Sequence, residues 1–313
     1  MQTVRLRAHA KVNLALSLAG PEPAGGPRAG WHRISTWMHA IDLADDLLVQ
    51  PLGPSSRSTL SAVSTWSARW AADAARPGLI DWPLERDLAW RALRAVEAHV
   101  GRALPTRLVL TKRIPTGAGL GGGSSDAGAT LLALDRAWGL GLGADVLRTL
   151  GATLGSDVPF FVAEPGTDGD VPRPAVVGGF GEAIERTPRA AGELVLLVPG
   201  FGCATGSVYR AFDDAVSAGR GGTLDAERIE TLARRGTVDS SALWNDLAEP
   251  ACAVRPELTL LRMRAREVLG EEVHITGSGS AMFAIVEPGS AAALAERVRA
   301  QVPGLAALAT RLV

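Results

Sequence analysis

PTGAGLGGGSSD, at residues 115–126, is the stretch that decides the fold of this 313-residue chain. The preceding segment, TRLVLTK at 106–112, alternates and is rich in β-branched residues, which predicts a strand. The following segment, AGATLLALDRAW at 127–138, repeats apolar residues three and four positions apart, which predicts a helix. A glycine turn between a strand and a helix presents backbone N–H groups and the positive end of the helix, so it suits phosphate.

Several kinds of phosphate loop share this glycine pattern. The run contains G-x-G-x-x-G, but a dinucleotide fold would place a second strand and an acidic residue about 20 residues further on. Here GLGLGADVLRTL begins another helix instead. A Walker loop needs Gly-Lys-Ser/Thr and a protein kinase needs H-R-D and D-F-G, and the sequence contains none of them. A flexible linker remains the alternative, although linkers are not usually framed by a strand and a helix.

Lysine is rare in this chain, and its positions are informative. The 32 basic residues include only two lysines, Lys11 and Lys112. Lys112 lies five residues before the first loop glycine, and Lys11 lies in the N-terminal segment AHAKVNLALSL. Lysine supplies a compact charge that arginine cannot replace at a crowded site. Phosphoryl transfer is one chemistry that needs such a charge.

Composition narrows the class of protein. The net charge of −1 argues against nucleic acid or an acidic membrane as a partner. The two cysteines, Cys203 and Cys252, form no spaced motif, which disfavours a disulfide framework or a zinc site and favours a reducing compartment. The N-terminus is typical of neither a signal peptide nor a transit sequence, so we expect a cytoplasmic protein.

The remaining sequence predicts a mixture of strands and helices. After residue 192 the order is strand, helices, two strands, helix and strand, which is the order of a ferredoxin-like domain. The predicted strands are 4–18, 106–112, 175–186, 193–199, 272–276, 281–286 and a short final one, and the predicted helices include 85–100, 127–138, one near 144–151 and 290–300.

Three segments resemble the motifs of the GHMP kinases. They are AKVNLALSL at 10–18, PTGAGLGGGSSDAGATLLALD at 115–135 and ITGSGSAMFAIV at 275–286. Further segments are similar to one branch of that family, which phosphorylates a cytidine diphosphate derivative of methylerythritol in isoprenoid biosynthesis: GWHRISTWMHAIDLADDL at 30–47, ERDLAW at 85–90, LGSDVPFFV at 154–162, VPGFGCATGSVYRAF at 198–212 and WNDLAEP at 244–250.

The resemblance implies a fold, an activity and partners. The implied fold is α+β, with a ribosomal protein S5-like N-terminal domain at 1–190 and a ferredoxin-like C-terminal domain at 191–313. The implied activity is ATP-dependent phosphorylation of a hydroxyl on a small cytidine diphosphate substrate, with Mg²⁺. We expect a monomer or weak homodimer that binds neither nucleic acid nor membrane.

The resemblance also implies the catalytic residues. Asp157 would be the catalytic base, Lys11 its charged partner, and Asn13 would orient the substrate or Asp157. A lysine and an asparagine two positions apart on a strand share one face. From the residues alone, Asp157 could equally be the N-cap of a helix.

ATP would be held by residues of the glycine loop and two others: Asp87, Lys112, Pro115, Gly117, Gly119, Gly121, Gly122, Gly123, Ser124 and Ser125. Of these, Lys112 and Asp87 match positions near the nucleotide base in the family. Asp87 replaces the usual asparagine, and a carboxylate cannot donate the hydrogen bonds of an amide. Ser124 has an alternative role as helix N-cap.

The substrate would be held by residues from both ends of the chain: Asn13, Trp31, His32, Thr205, Tyr209, Gly277, Ser278 and Gly279. The family reads cytosine through the histidine at His32, although a lone histidine is more often structural. Trp31 replaces the usual tyrosine, and either ring stacks on a flat base. The turn at 277–279 could also be a simple β-turn. GGFGEAIE at 178–185 lacks the arginine of the family's more usual G-R-G-E.

Two rival readings remain open at this point. Another GHMP kinase, of the mevalonate-pathway or homoserine type, would keep the ATP loop and lose the segments around His32 and Asp157. A nucleotide-binding regulator of the same fold would keep the loop and lose Lys11 or Asp157.

Overall fold

A computed structural model describes residues 1–53, 63–163 and 171–313 of the chain. Within those residues the chain forms ten strands, nine α-helices and two short 3-10 turns. The strands are β1 Val4–Pro21, β2 His32–Pro51, β3 Thr65–Trp70, β4 Thr106–Lys112, β5 Ala175–Gly179, β6 Ala183–Arg186, β7 Glu193–Pro199, β8 His274–Ile275, β9 Met282–Val286 and β10 Leu305–Arg311. The helices are α1 Leu88–Val100, α2 Gly122–Trp138, α3 Gly143–Leu154, α4 Val158–Phe161, α5 Thr205–Ser217, α6 Ala226–Arg234, α7 Ala248–Val254, α8 Pro256–Leu269 and α9 Ala291–Gln301.

The chain divides into two compact units, and the long strands β1 and β2 each have residues in both. The first unit contains Met1–Ala10, Leu43–Ile114 and Gly121–Pro172, and the second contains Lys11–Asp42, Pro115–Leu120 and Arg173–Val313. The domain boundary between residues 190 and 191 stays a prediction. In the described ranges, no helix is both long and apolar enough to cross a lipid bilayer.

In the first unit, helices pack beside the carboxyl-terminal half of β2. That half pairs antiparallel with β4, and β3 pairs parallel with β4. The buried apolar residues of α1 and α2 belong to one core cluster with those of β4. Strand β4 has the predicted bounds, whereas α1 starts at Leu88 because Asp87 caps it by accepting a hydrogen bond from the Trp90 N–H at 3.0 Å.

The second unit contains a four-stranded antiparallel sheet with the order β10-β7-β9-β8. Numbered along the chain, these strands run 4-1-3-2, and helices precede the second and fourth. The predicted ferredoxin-like order is therefore confirmed. The sheet and its helices enclose a separate apolar core.

One predicted strand, 175–186, is wrong. The structure has two strands there, β5 and β6, which pair with each other as a hairpin, while β5 also pairs with the amino-terminal half of β2. The left-handed backbone at Gly179 and Gly181 turns the chain, and the Phe180 N–H donates to Glu182 Oε2 at 2.6 Å. The glycines between two apolar runs were the signal for this turn.

Close packing of α2 on α4 depends on a glycine. A Cβ added to Gly128 would lie 2.7 Å from Phe161 Cβ and 3.1 Å from its carbonyl carbon. No side chain fits at such distances unless one of the helices moves.

We therefore expect Gly128→Ala to lower the free energy of unfolding by about 1–3 kcal/mol, the usual cost of overpacking. Gly123→Ala is the matched control in the same helix, because its added Cβ would meet Leu88 Cδ1 at an ordinary 3.5 Å. The control should be neutral or stabilising, since alanine favours the helix. Urea unfolding of both variants makes the comparison, and equal stabilities would contradict this account of the contact.

Candidate active site

Lys11 and Asn13 lie side by side on β1. Lys11 is buried, and its Nζ donates to Asn13 Oδ1 at 2.6 Å. The Asn13 amide donates in turn to Thr36 Oγ1 at 2.8 Å, which fixes the orientation of the amide. The period-two face predicted for this pair is therefore present, and the ammonium is held in a defined position inside the protein.

The second glycine turn covers this pair. The Asn13 N–H donates to Thr276 Oγ1 at 2.8 Å. A Cβ added to Gly277 would lie 3.3 Å from Asn13 Oδ1 and 3.4 Å from Lys11 Nζ, and Gly277 has a φ of +57°. The turn at 277–279 is thus more than a connection between β8 and β9, because it lies directly against the buried ammonium.

The first glycine loop packs against the second turn, backbone to backbone. A Cβ on Gly119 would lie 3.0 Å from the carbonyl oxygens of both Thr276 and Gly279. The Ala281 N–H donates to the Ala118 carbonyl at 3.0 Å, and the Lys11 N–H donates to the Leu120 carbonyl at 3.0 Å. Glycine at position 119, with a φ of +81°, is what permits this contact.

The helix after the glycine loop begins earlier than predicted. Helix α2 starts at Gly122, with Gly121 as its N-cap at a φ of +71°, and its first internal hydrogen bond runs from the Ser125 N–H to the Gly121 carbonyl at 2.8 Å. Ser124 is the third helical residue, so the alternative of Ser124 as N-cap is wrong. The N–H groups of residues 122–124 precede the first helical bond and are the donors of this helix end.

Lys112 lies in a buried ionic cluster of the first unit. Its ammonium contacts the carboxylates of Asp45 and Asp126. Burial alone would lower the pKa of Lys112, but Asp126 and Asp45 outweigh it and raise that pKa. The Asp45 carboxylate also accepts the N–H groups of Arg113 and Ile114, the second at 2.8 Å, so it fixes the backbone that leads into the glycine loop. The role of Lys112 in ATP binding stays a prediction.

Of the two carboxyl groups in this cluster, that of Asp126 has a raised pKa. The pKa of Asp126 is raised to about 8. Burial is the largest cause and Asp45 adds to it, while Lys112 acts in the opposite direction. Asp126 Oδ1 is buried and has no hydrogen-bond partner among the described residues. Two carboxyl groups facing one ammonium leave one excess negative charge inside the protein, and a bound proton removes it.

Asp87 has two structural contacts. Besides capping α1, it accepts a hydrogen bond from Trp82 Nε1 at 3.1 Å and is buried. Both carboxylate oxygens are thus used as acceptors, which an amide could not match because only one of its two terminal atoms accepts. Its contact with a nucleotide stays a prediction.

Asp157 occupies the N-cap position of α4 without acting as a cap. Its side chain makes no capping hydrogen bond to the helix that follows. It is half-buried, and α4 is a single apolar turn, Val158–Phe161. The capping alternative therefore does not account for this aspartate, and its catalytic role stays a prediction.

His32 lies against one face of α5. Its Nε2 is 2.6 Å from Asp213 Oδ1, and its ring centroid is 5.0 Å from that of Tyr209 and 5.7 Å from that of Phe212. The predicted pair His32 and Tyr209 is thus brought together. Sequence reasoning missed Asp213, although its position four residues after Tyr209 places it on the same helix face.

Two of the three departures from the family pattern, at residues 31 and 180, lie together. Trp31 meets Phe180 edge to face, with ring centroids 6.0 Å apart. The Arg28 guanidinium lies 4.1 Å from the centre of the Phe180 ring. Phe180 stands where the family more often has arginine, so Arg28 supplies a guanidinium near that position. Trp31 is exposed, and its ring packs against that of Phe180.

Three further residues of the second unit lie at or beside the second glycine turn. Thr205 Oγ1 and Ser278 Oγ, both predicted to bind substrate, lie 3.0 Å apart. Sequence reasoning missed the role of Asn245, whose amide donates to the carbonyls of Ile275 and Gly277 at 2.8 Å each and so holds the second turn. The signal was the segment WNDLAEP, which carries this asparagine.

Known proteins resemble the chain along nearly its whole length. The GHMP kinases N terminal domain matches residues 87–164. A protein of Moorella thermoacetica named 4-diphosphocytidyl-2-C-methyl-D-erythritol kinase is 32% identical over 296 residues, 93% of each chain. One of Verminephrobacter eiseniae with the same name is 36% identical over 291 residues, 89% of this chain and 84% of the relative. The chain belongs to the 4-diphosphocytidyl-2-C-methyl-D-erythritol kinase family.

Solved structures agree with this assignment. A crystal structure of 4-(cytidine 5'-diphospho)-2C-methyl-D-erythritol kinase is 33% identical, covers 99% of both chains and has a TM-score of 0.74. Mevalonate kinase of L. major is 14% identical with a TM-score of 0.66, a likeness of fold alone. The two-domain α+β fold of the GHMP kinases is therefore confirmed.

The raised pKa of Asp126 predicts how stability changes with pH. The folded state binds this proton more tightly than the unfolded state, where the pKa is near 3.8. The stabilisation due to Asp126 is therefore full below about pH 4 and is lost as the pH rises to about 8. Asp126→Asn removes the titration, so the stability of the variant relative to the native protein should rise by up to about 1 kcal/mol per pH unit across that window.

Urea unfolding at several pH values between these limits makes the measurement. Asp145→Asn is the control, because the Asp145 side chain is 98% exposed. If native protein and Asp126→Asn changed in parallel with pH, Asp126 would not hold the proton assigned to it.

Proposed function

We propose that this chain transfers the γ-phosphoryl group of ATP to the 2-hydroxyl of 4-diphosphocytidyl-2-C-methyl-D-erythritol, giving the 2-phosphate and ADP. It would serve the non-mevalonate route to isoprenoid precursors. The observation that carries this proposal is the family relationship over about nine tenths of the chain. The residues expected to bind the cytidine side of the substrate support it, because His32 contacts Tyr209 and Thr205 contacts Ser278.

Asp157 is proposed as the base that takes the proton of the substrate hydroxyl. The O–H bond breaks, the oxygen bonds to the γ-phosphorus, and the bond from that phosphorus to the bridging oxygen of ADP breaks. Because the Asp157 carboxylate makes no capping hydrogen bond to α4, that bond does not compete with its accepting the proton of the substrate hydroxyl. The leaving group departs directly, so the reaction forms no phosphoenzyme.

Lys11 is proposed to stabilise the negative charge on the transferring group. Its Nζ is fixed by Asn13 at 2.6 Å, so little reorganisation is needed when charge develops. Its place beneath Gly277 agrees with a substrate diphosphate bound at residues 277–279. Catalysis of this kind depends mainly on positioning and charge stabilisation.

The N–H groups at the start of α2 are proposed to bind the ATP phosphates. Residues 122–124 direct orphan donors out of a helix of 17 residues, and the helix dipole favours an anion there. Gly122 also permits close approach to Ile114, since an added Cβ would lie 2.9 Å from Ile114 Cγ2. Because glycines at 121–123 carry no side chain, a phosphate could approach their N–H groups closely.

Mg²⁺ is proposed to accompany ATP. In the described ranges, no three His, Cys, Asp or Glu side chains group together as a metal site. That suits Mg²⁺ in a kinase, which is usually held by one or two protein groups and the substrate phosphates. The Ser124 hydroxyl and the Asp157 carboxylate have the oxygen chemistry to contribute. The bound ion would neutralise phosphate charge.

The cellular setting is also a proposal. We place the protein in the cytoplasm, where ATP and a small cytidine diphosphate substrate meet, as a monomer or weak homodimer. Nucleic acid and membrane are not among its proposed partners, in keeping with a net charge of −1.

ATP turnover against a panel of alcohols tests the proposed reaction. We expect phosphorylation of 4-diphosphocytidyl-2-C-methyl-D-erythritol to exceed that of mevalonate and homoserine by a factor of about 10⁴ or more in kcat/KM, since these two alcohols carry no cytosine and would leave the polar groups of the site unpaired. Product is identified by ³¹P NMR as a phosphate ester at the 2-hydroxyl. Equal turnover of mevalonate or homoserine would contradict the proposal and favour another GHMP kinase.

Single substitutions test the catalytic pair. Asp157→Asn and Lys11→Met should each lower kcat by about two decades or more, because one removes the base and the other the charge. The Kd for ATP should change little, since α2 is untouched. Asp145→Asn is the control for Asp157, and thermal unfolding shows whether Lys11→Met folds. A folded Asp157→Asn variant that keeps most of its kcat would refute the role of Asp157.

A further inference from the structure

His32 and Asp213 form a close pair in the second unit. The distance from His32 Nε2 to Asp213 Oδ1 is 2.6 Å, and the His32 side chain is only 6% exposed. Asp213, Tyr209 and Phe212 lie on one face of α5, at the i, i+3 and i+4 spacing that brings side chains together. The two aromatic rings flank the imidazole, while the carboxylate meets one of its nitrogens.

The carboxylate dictates where the imidazole carries its proton. An ionised carboxylate only accepts hydrogen bonds, so Nε2 must be the donor. In a neutral imidazole the other nitrogen, Nδ1, then carries a lone pair and accepts. Among the described residues, Nδ1 makes no hydrogen bond of its own. The pair therefore presents one oriented acceptor.

That acceptor distinguishes the two pyrimidines. Cytosine carries an amino group at position 4, which donates, whereas uracil carries a carbonyl oxygen there, which accepts. An acceptor at Nδ1 pairs with the cytosine amino group and faces the uracil oxygen lone pair to lone pair. A contact of this kind discriminates more strongly than shape, because the wrong base leaves buried polar groups unpaired.

We propose that Asp213 is a positioning residue that sets the preference for cytosine over uracil, by holding His32 with its proton on Nε2 and its acceptor at Nδ1. This inference rests on the proposed function, since it concerns the base of that substrate. The simpler reading is that the pair only attaches the start of β2 to α5. The two readings differ in what they predict for base preference and for the imidazole tautomer.

The tautomer is measured directly by ¹⁵N NMR of the full-length protein with labelled histidine at neutral pH, with His32→Gln to assign the signal. The proposal predicts that the His32 proton is on Nε2 and that Nδ1 is unprotonated. A proton on Nδ1, with or without one on Nε2, would overturn it. This readout needs neither substrate nor turnover.

Binding of CDP and UDP then tests the role of Asp213. Asp213→Asn should lower the ratio of CDP to UDP affinity by about three- to ten-fold, the effect of one neutral hydrogen bond, because an amide can either donate or accept. The KM for ATP should stay unchanged. Asp214→Asn, an exposed neighbour on the same helix, is the matched control and should keep the native ratio.

The failures can be told apart. If the native protein prefers CDP but Asp213→Asn keeps the full preference, this inference is wrong and the proposed function stands. If the native protein binds CDP no better than UDP and phosphorylates no cytidine substrate, the proposed function is wrong and the inference fails with it.

Discussion

The region around Lys11 depends on the contact between two glycine turns. Gly119 packs tightly against the carbonyls of Thr276 and Gly279, since an added Cβ would lie 3.0 Å from each oxygen, and Gly277 lies against the Lys11 ammonium. The segments around residues 11, 119 and 277 are distant in sequence and meet here through their backbones. Their side chains are therefore left for other contacts. A buried ammonium is costly unless it is hydrogen-bonded, and Asn13 meets that need. The same packing that builds this unit thus holds the charge that the proposed reaction uses.

A separate buried ionic cluster, formed by Lys112, Asp45 and Asp126, supports the start of α2. In the first unit, Asp45 accepts the backbone N–H groups at residues 113 and 114 and also contacts Lys112, whose ammonium reaches Asp126 on α2. A fully desolvated carboxylate with several hydrogen-bond donors holds the groups that donate to it in fixed positions. The start of α2 is therefore positioned from both β4 and the turn that follows it. Lys11 and Lys112 are therefore both buried and hold polar groups of their own unit together, in addition to any contact with a ligand.

Much of this architecture could be predicted from the sequence. Strand β4 and the ferredoxin-like order followed from local alternation and periodicity, and the proximity of Lys11 and Asn13 followed from strand geometry. The start of α2 was placed too late because glycine is a poor helix former, and here the packing of Gly122 against Ile114 overrides that preference. Asp45, Asp213 and Asn245 were missed because their partners lie far away in the sequence, and only the fold brings donor and acceptor together. Trp31 and Phe180 likewise make sense only as a pair in space.

A crystal structure with a non-hydrolysable ATP analogue and the cytidine substrate would show directly whether α2 and Lys11 have the roles proposed for them. The quantities to measure are the distances from the nucleotide phosphate oxygens to the N–H groups of residues 122–124, and from Lys11 Nζ to the transferring group and the acceptor hydroxyl. We expect hydrogen-bond distances, about 2.7–3.2 Å, at the start of α2, and the ammonium within contact of the reacting atoms. Phosphates bound elsewhere, with the Lys11 ammonium out of reach of the reacting atoms, would contradict these roles.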